Sequence, residues 1–149
     1  MKQIFFILIF LTKGIFASLV VGENLPNITL NDQYKKSHTL TKTDKLLIMT
    51  FEKSTALSVT KYFNKQPASF LVKHKAKYIT DVSSVPTFLF NTFALDKMQK
   101  FPFTVLLIQD DFGKKFHQKE DKITIYKLNN HKIKEILFVS PKDFFKVFE

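Results

Sequence analysis

Residues 45–59, KLLIMTFEKSTALSV, constrain the fold more than any other part of the sequence. The run LLIMTF leads directly into the polar stretch EKST, and a helical pattern follows. A continuous apolar run of this length is typical of a strand that is buried on both faces of a sheet. In α/β proteins the loop beyond the carboxyl end of such a strand usually carries the chemistry. This loop contains no cysteine, no histidine and no glycine, so it does not name a substrate.

Alternating and continuous apolar patterns predict the remaining elements. They are a hairpin over 25–40, strands over 46–51, 78–82, 104–109, 123–128 and 133–139, a short helical segment over 68–74, and helices that start near Ser54, Ser84 and Ser140. Asn129 and Asn130 predict a tight turn between the last two strands. The order predicts an α/β sandwich, with a mixed central β-sheet flanked by helices and an N-terminal β-hairpin.

The helix predicted to start near Ser84, with Ser84 or Ser83 as its cap and Pro86 in its first turn, carries an apolar stripe. Phe88, Leu89, Thr92 and Phe93 recur at helical spacing. Such a stripe more often packs into a core than binds a cofactor, so we expect these residues to be buried.

Size and charge limit the function classes. A chain of 149 residues with 45% hydrophobic residues suits one domain with a substantial core. The formal net charge is +10, and every basic residue is lysine. Arginine supplies the planar fork that reads bases and clamps phosphate, so its absence argues against sequence-specific nucleic-acid recognition. The lysines predict a solvated basic surface, with weak contact to anionic envelope polymers or membrane as the alternative.

The first 17 residues, MKQIFFILIFLTKGIFA, resemble a secretory signal peptide. An early lysine precedes an apolar run that is too short to span a bilayer, and Ile15 and Ala17 take the −3 and −1 positions of a cleavage site. Cleavage would leave one domain over 18–149, periplasmic or otherwise secreted, with no transmembrane segment. An uncleaved anchor or a buried first element remains the alternative.

The sequence contains no cysteine, which excludes thiol–disulfide exchange, peroxidatic cysteine chemistry and cysteine-ligated metal sites. It has three glycines, none in a phosphate-binding motif, so flavin and nicotinamide binding have no support. The four histidines are isolated and lack metal-ligand spacing. We therefore predict no cofactor, no metal and no catalytic residue.

Five segments, in this order, resemble the peroxiredoxin branch of thioredoxin-like proteins. They are GENLPNITLNDQ, LLIMTFEKSTA, YITDVS, DKMQKFPFTVLLIQDDFG and KITIYKLNNHKIKEI. More closely, they resemble the small exported YtfJ-type family. That resemblance implies a periplasmic thioredoxin-like protein of poorly defined role, and it supplies no catalytic motif. It also implies a redox loop near 51–56, where this chain has Ser54 and Thr55, and a cis proline at the position of Pro102. The sequence itself leaves the isomer of that bond open.

These observations favour a redox-inactive module that binds a peptide or another envelope protein in a groove beside the former redox loop. The alternatives are a thiol-independent hydrolase or metal-dependent enzyme that uses Ser54, Lys53 or the histidines, and an anion-binding envelope protein. The candidate groove residues are Glu52, Lys53, Ser54, Thr55, Pro102 and Phe103.

Overall fold

The computed structural model describes residues 18–149. The predicted signal peptide, 1–17, lies outside the described residues. The described chain forms a mixed seven-stranded sheet with the order β2-β1-β5-β4-β3-β6-β7. The strands are β1 (Thr29–Asp32), β2 (Ser37–Thr39), β3 (Leu46–Thr50), β4 (Ala76–Asp81), β5 (Val105–Ile108), β6 (Ile123–Asn129) and β7 (Lys132–Val139).

The three central strands are parallel, and the flanking strands are antiparallel to their neighbours. β4 pairs in parallel with both β3 and β5, whereas β1 and β6 run antiparallel to the central strands. β3 and β5 are buried almost throughout, which explains why their sequences are continuously apolar rather than alternating. The carboxyl ends of the three parallel strands meet at one edge of the sheet, where the candidate site lies.

All of the helices in the described residues except the 3₁₀ helix at Asp111–Lys115 pack on one face of the sheet, and that one packs on the opposite face through Phe112 and Phe116. The helices are α1 (Lys53–Phe63), α2 (Phe70–Lys73), α3 (Thr87–Leu89), a π-helical turn (Phe90–Ala94), α4 (Leu95–Met98), and 3₁₀ helices at Asp111–Lys115 and Pro141–Phe148. The segment 87–98 is continuous, because α3, the π-helical turn and α4 follow one another without a gap; we call it the wall helix. Within the described part of the chain, no helix has the length and apolar character that a membrane span requires.

Two hydrophobic clusters lie on opposite faces of the sheet. Successive residues of β3 alternate between them: Ile48 belongs to the cluster beneath the helices, and Leu47 and Met49 belong to the other. The second face is covered by the segment around Leu25 and Ile28 and by Phe116. Both faces of the central strands are therefore buried.

The wall helix does not bury the stripe that its sequence predicts. Phe88, Leu89 and Phe93 are exposed, and Phe90 is the residue that enters the core. A π-helical turn adds one residue to a helical turn, so side chains beyond it are rotated relative to α-helical spacing. The prediction of a buried Phe88, Leu89, Thr92 and Phe93 stripe is therefore wrong, and these apolar side chains remain uncovered.

The starts of two helices and the type of a third also differ from the sequence prediction. α1 begins at Lys53, with Glu52 as the N-cap, so Ser54 lies inside the first turn and does not cap. The wall helix begins at Thr87, so Pro86 precedes its first turn instead of lying within it, and no side-chain hydrogen bond caps this end. The final helix is a 3₁₀ helix, in which Phe144 is buried and Phe145 is exposed.

Candidate functional site

An apolar groove lies at the carboxyl ends of β3 and β4. Its volume is about 510 Å³, which lies within the range of small-ligand sites. One wall is α1, through Ala56, Leu57 and Thr60, and the other is the wall helix, through Leu89 and Phe93. We call this cavity the groove.

Side chains on both walls of the groove are open to solvent. Leu57 is 61% exposed on one wall, and Phe93 is 60% exposed on the other. Val85 and Leu89 add further exposed apolar surface at the same cavity. Single exposed apolar residues are ordinary, but a contiguous apolar patch around a concave surface marks a binding site.

The floor of the groove contains a small hydroxyl network. Tyr78 is buried, and its hydroxyl lies 3.1 Å from Thr50 Oγ1, which donates to Thr80 Oγ1 at 3.0 Å. Burial raises the pKa of the Tyr78 hydroxyl, while its hydrogen bonds to Thr50, Thr60 and Thr80 act in the opposite direction. The raised pKa keeps Tyr78 neutral at physiological pH. The floor therefore carries satisfied, uncharged polar groups rather than a poised nucleophile or base.

Four charged residues line the groove: Glu52, Lys53, Asp81 and Lys97. They differ in the hydrogen bonds and ion pairs that they make with the rest of the described residues. Both carboxylate oxygens of Glu52 accept from the backbone N–H of Asp121, at 3.3 and 3.1 Å. Asp81 Oδ1 accepts from the backbone N–H and the hydroxyl of Ser83. Among residues 18–149, neither Lys53 nor Lys97 has a carboxylate oxygen within 4.0 Å of its ammonium group. The two ammonium groups therefore have no ion-pair partner among the described residues, whereas both carboxylates already accept hydrogen bonds.

The structure separates the four candidate residues of the loop. Glu52 and Lys53 line the groove. Ser54 is exposed and is not part of the groove lining, and Thr55 is buried with its hydroxyl donating to the Glu52 carbonyl at 3.0 Å. Thr55 therefore stabilises the first turn of α1.

Pro102 and Phe103 lie away from the groove lining. The peptide bond before Pro102 is trans, which differs from the cis proline that the family resemblance implies. Pro102 is exposed, and Phe103 is buried in the aromatic core, where its ring lies 5.4 Å from that of Phe63. Phe103 instead lines a second, smaller cavity of about 180 Å³, together with Val72 and His38.

Gln33 is a structural residue that no local sequence pattern identifies. Its side chain is fully buried; its amide donates to the Phe103 carbonyl at 2.8 Å, and its oxygen accepts from the Val105 N–H at 2.9 Å. A longer contact of 3.4 Å reaches the carbonyl of Met98, the last residue of the wall helix. Gln33 thus ties the hairpin to the segment that supports one groove wall. Only the three-dimensional structure reveals it, since the contacts span about 70 residues of sequence.

The arrangement offers binding surface but no evident reaction centre. No group of three His, Asp or Glu side chains within residues 18–149 is placed to hold a metal ion. Lys53 and Ser54 are neighbours at the start of α1, and the Ser54 hydroxyl has no hydrogen-bond partner among the described residues. A nucleophilic serine needs a base within hydrogen-bond reach.

The sequence matches no protein-family model and no curated protein. The fold, however, is similar to solved structures. The thioredoxin domain of a thiol-disulfide oxidoreductase from Bacteroides vulgatus superposes with a TM-score of 0.56 at 17% identity, covering 88% of this chain and 96% of that one. A PrxQ variant from Xylella fastidiosa gives a TM-score of 0.58 at 17% identity, covering 89% and 94%. Peroxidoxin BcpB from Mycobacterium tuberculosis gives 0.57 at 12%, covering 85% and 92%. At these identities the likeness shows the fold alone: the chain has a thioredoxin-like α/β fold, and it has no cysteine.

Proposed function

We propose that this protein is an exported, redox-inactive thioredoxin-like module of the YtfJ type that binds a peptide or protein segment in the groove. The proposal rests on the groove, because apolar side chains on both of its walls are exposed to solvent. Leaving Leu57 and Phe93 in water is unfavourable, and a partner that covers them would recover that hydrophobic free energy.

A binding function requires only the exposed apolar surface of the groove, whereas catalysis would also require reactive groups. Thiol chemistry is impossible without cysteine, and the hydroxyl groups of the floor are satisfied by one another. Among the loop residues, Thr55 is committed to the backbone of α1. What remains at the carboxyl ends of the strands is surface for contact, as expected of a thioredoxin-like scaffold whose reactive groups are absent.

A fluorescence titration tests binding in the groove. The sequence contains no tryptophan, so Phe93→Trp and Val72→Trp each place a single reporter on an exposed helical position. Val72 lies at the second cavity and serves as the matched control. The probe is a synthetic tryptophan-free peptide that alternates leucine with polar residues.

The proposal expects saturable changes in emission from the Phe93→Trp variant, with a shift to shorter wavelength as the indole leaves water, and no such change from the Val72→Trp variant. Equal responses from both variants, or none from either, would overturn the groove as the binding site. Because Phe103 is buried in the core, a reporter there would damage the fold and is not used.

Export rests on the first 17 residues and is tested separately. Mass spectrometry of the protein recovered from the cell envelope or medium should give a mature chain that begins at Ser18. Recovery of the intact N-terminus from the cytoplasm would remove export from the proposal and would leave the groove unaffected.

A further inference from the structure

The charges at the groove point to one chemical class of partner. We propose that the groove selects a peptide segment that is both apolar and acidic, with its apolar side chains between α1 and the wall helix and its carboxylates against Lys53 and Lys97. This inference rests on the proposed function, since it names the partner of the same groove.

The first step is the difference between the anionic and cationic side chains at the groove. The carboxylates of Glu52 and Asp81 already accept hydrogen bonds from backbone N–H groups of Asp121 and Ser83. A basic partner would share those carboxylates with the N–H groups that they already accept. An acidic partner would meet ammonium groups that no described carboxylate holds.

The second step is the placement of the two lysines on opposite walls. Lys53 begins α1, and Lys97 lies near the end of the wall helix, so each wall carries one ammonium group beside its apolar residues. A ligand that lies between the walls can therefore reach both charges while it covers Leu57 and Phe93. Complementary charges of this kind contribute to specificity and to the rate of association.

The third step distinguishes a peptide from a fatty acid or lipid. Sites for small apolar ligands enclose most of the ligand surface. Here Leu57 and Phe93, one on each wall, are more than half exposed, so a single acyl chain between the walls would leave part of their apolar surface in water. A peptide segment of a larger partner can cover the exposed walls as well as fill the cavity, which is the pattern of a protein-docking surface.

The experiment compares labelled synthetic peptides of equal length by fluorescence anisotropy. Three share the same leucine and phenylalanine positions and carry glutamate, glutamine or lysine at the remaining positions; a fourth replaces the apolar residues of the glutamate peptide with serine. Sodium oleate and vesicles of anionic phospholipid compete against the bound glutamate peptide.

We expect the apolar glutamate peptide to bind about three- to thirtyfold more tightly than the glutamine peptide, because each exposed ion pair contributes modestly. The lysine peptide and the serine-containing acidic peptide should bind more weakly than the glutamine peptide. Rising salt should shrink the preference for glutamate while it leaves the apolar part of the affinity in place.

A matched pair of double variants separates local recognition from the overall positive charge. Lys53→Ala with Lys97→Ala removes the two groove lysines; Lys61→Ala with Lys132→Ala removes two exposed lysines that are neither ion-paired nor part of the groove. The first variant should lower affinity for the glutamate peptide about two- to thirtyfold and lower affinity for the glutamine peptide by a smaller factor. The second should change neither, although both lose the same charge.

Each contrary result has a distinct meaning. Equal binding of the three apolar peptides, or equal losses in the two double variants, would overturn the acidic selectivity and leave the proposed function standing. Tight binding of the serine-containing acidic peptide, or complete displacement by oleate or vesicles alone, would also overturn the inference. Absence of binding by every apolar peptide would overturn the proposed function itself.

Discussion

Two phenylalanine-rich regions lie on the same face of the sheet, and residues 18–149 cover only one of them. In the first region, the 3₁₀ helix Pro141–Phe148 packs its aromatic rings against α1. The centroid of the Phe144 ring lies 5.2 Å from that of Tyr62 and 5.6 Å from that of Phe63. At the groove, Phe93 remains exposed with no ring contact among the described residues. We call the first region the aromatic cluster.

The difference teaches that composition alone does not separate core from binding surface. α1 contributes to both regions, through Phe63 to the aromatic cluster and through Leu57 to the groove. Edge-to-face ring pairs stabilise the cluster beyond the area that they bury. The groove lacks an equivalent covering element in residues 18–149, so its apolar side chains should affect binding far more than stability.

The largest expected effect on stability comes from opening the aromatic cluster. Phe63 is buried and contacts rings on α2, β4 and the final 3₁₀ helix. Phe63→Ala should lower the free energy of unfolding by about 3–5 kcal/mol, because it removes apolar contacts and leaves a cavity. Urea denaturation measures this loss. A loss below about 1 kcal/mol would show that the cluster is loosely packed, and substitutions in the cluster and in the groove would then no longer differ in their effect on stability.

Gln33 tests whether the groove wall depends on a buried polar tie. Gln33→Ala should lower the free energy of unfolding by about 1–3 kcal/mol, since the Val105 N–H and the Phe103 carbonyl lose buried partners. Gln66→Ala, which removes a half-exposed glutamine with no side-chain hydrogen bond among the described residues, is the control and should change stability by about 0.5 kcal/mol or less. Equal effects in urea denaturation would contradict the role assigned to Gln33.

Acid should weaken the fold through Asp32, which lies outside both regions. Burial alone would raise the pKa of Asp32, but hydrogen bonds from His38 and from the backbone N–H groups of Lys36 and Tyr34 lower it below the ordinary value of 3.8. A carboxyl whose pKa is lower in the folded state contributes stability above its unfolded pKa and loses it as pH falls through the folded value.

Asp32→Asn should therefore destabilise the protein at neutral pH by about 1.5–3 kcal/mol, the range of a charged hydrogen bond, and the gap to wild type should narrow as pH falls below about 4. Urea denaturation across this pH range checks the sign. A gap that widens toward acid would mean that the hydrogen bonds do not stabilise the carboxylate.

The smallest effect on stability, and the largest on binding, is expected at the groove wall. Phe93→Ala should change the free energy of unfolding by about 0.5 kcal/mol or less, because the side chain is exposed. The same substitution should weaken the apolar glutamate peptide about tenfold, by the loss of about 1.4 kcal/mol of contact. Phe145→Ala, at an exposed phenylalanine of the final 3₁₀ helix, is the matched control and should leave binding unchanged.

The sequence predicts the sheet well because burial on both faces demands a distinctive pattern. The two continuous apolar runs correspond to β3 and β5. The turn between β6 and β7 lies one residue further along the chain than predicted, with positive φ angles at Asn130 and His131. That turn geometry matches the twist of the paired strands. Local chemistry of this kind is readable without the fold.

The candidate site was less predictable, because its residues depend on what covers them. Leu89 and Phe93 have the spacing of a core stripe, and the π-helical turn and the absence of a covering element among the described residues explain their exposure. Phe103, chosen from its position after Pro102, is part of the core instead. Of the chosen loop residues, Glu52 and Lys53 line the groove, whereas its walls are formed by Leu57 and by Phe93, which the sequence predicts to be part of a buried stripe.

The most direct test is to map the contact of the apolar glutamate peptide on the isotopically labelled wild-type protein by nuclear magnetic resonance. Our account predicts that shifted amides cluster on 51–60 and on 84–98 and persist at high salt. Amides around Phe144 and Phe148 in the aromatic cluster should keep their positions. Shifts that spread over exposed lysines and vanish with salt, or that centre on the second cavity near Val72, would contradict the groove as the binding site.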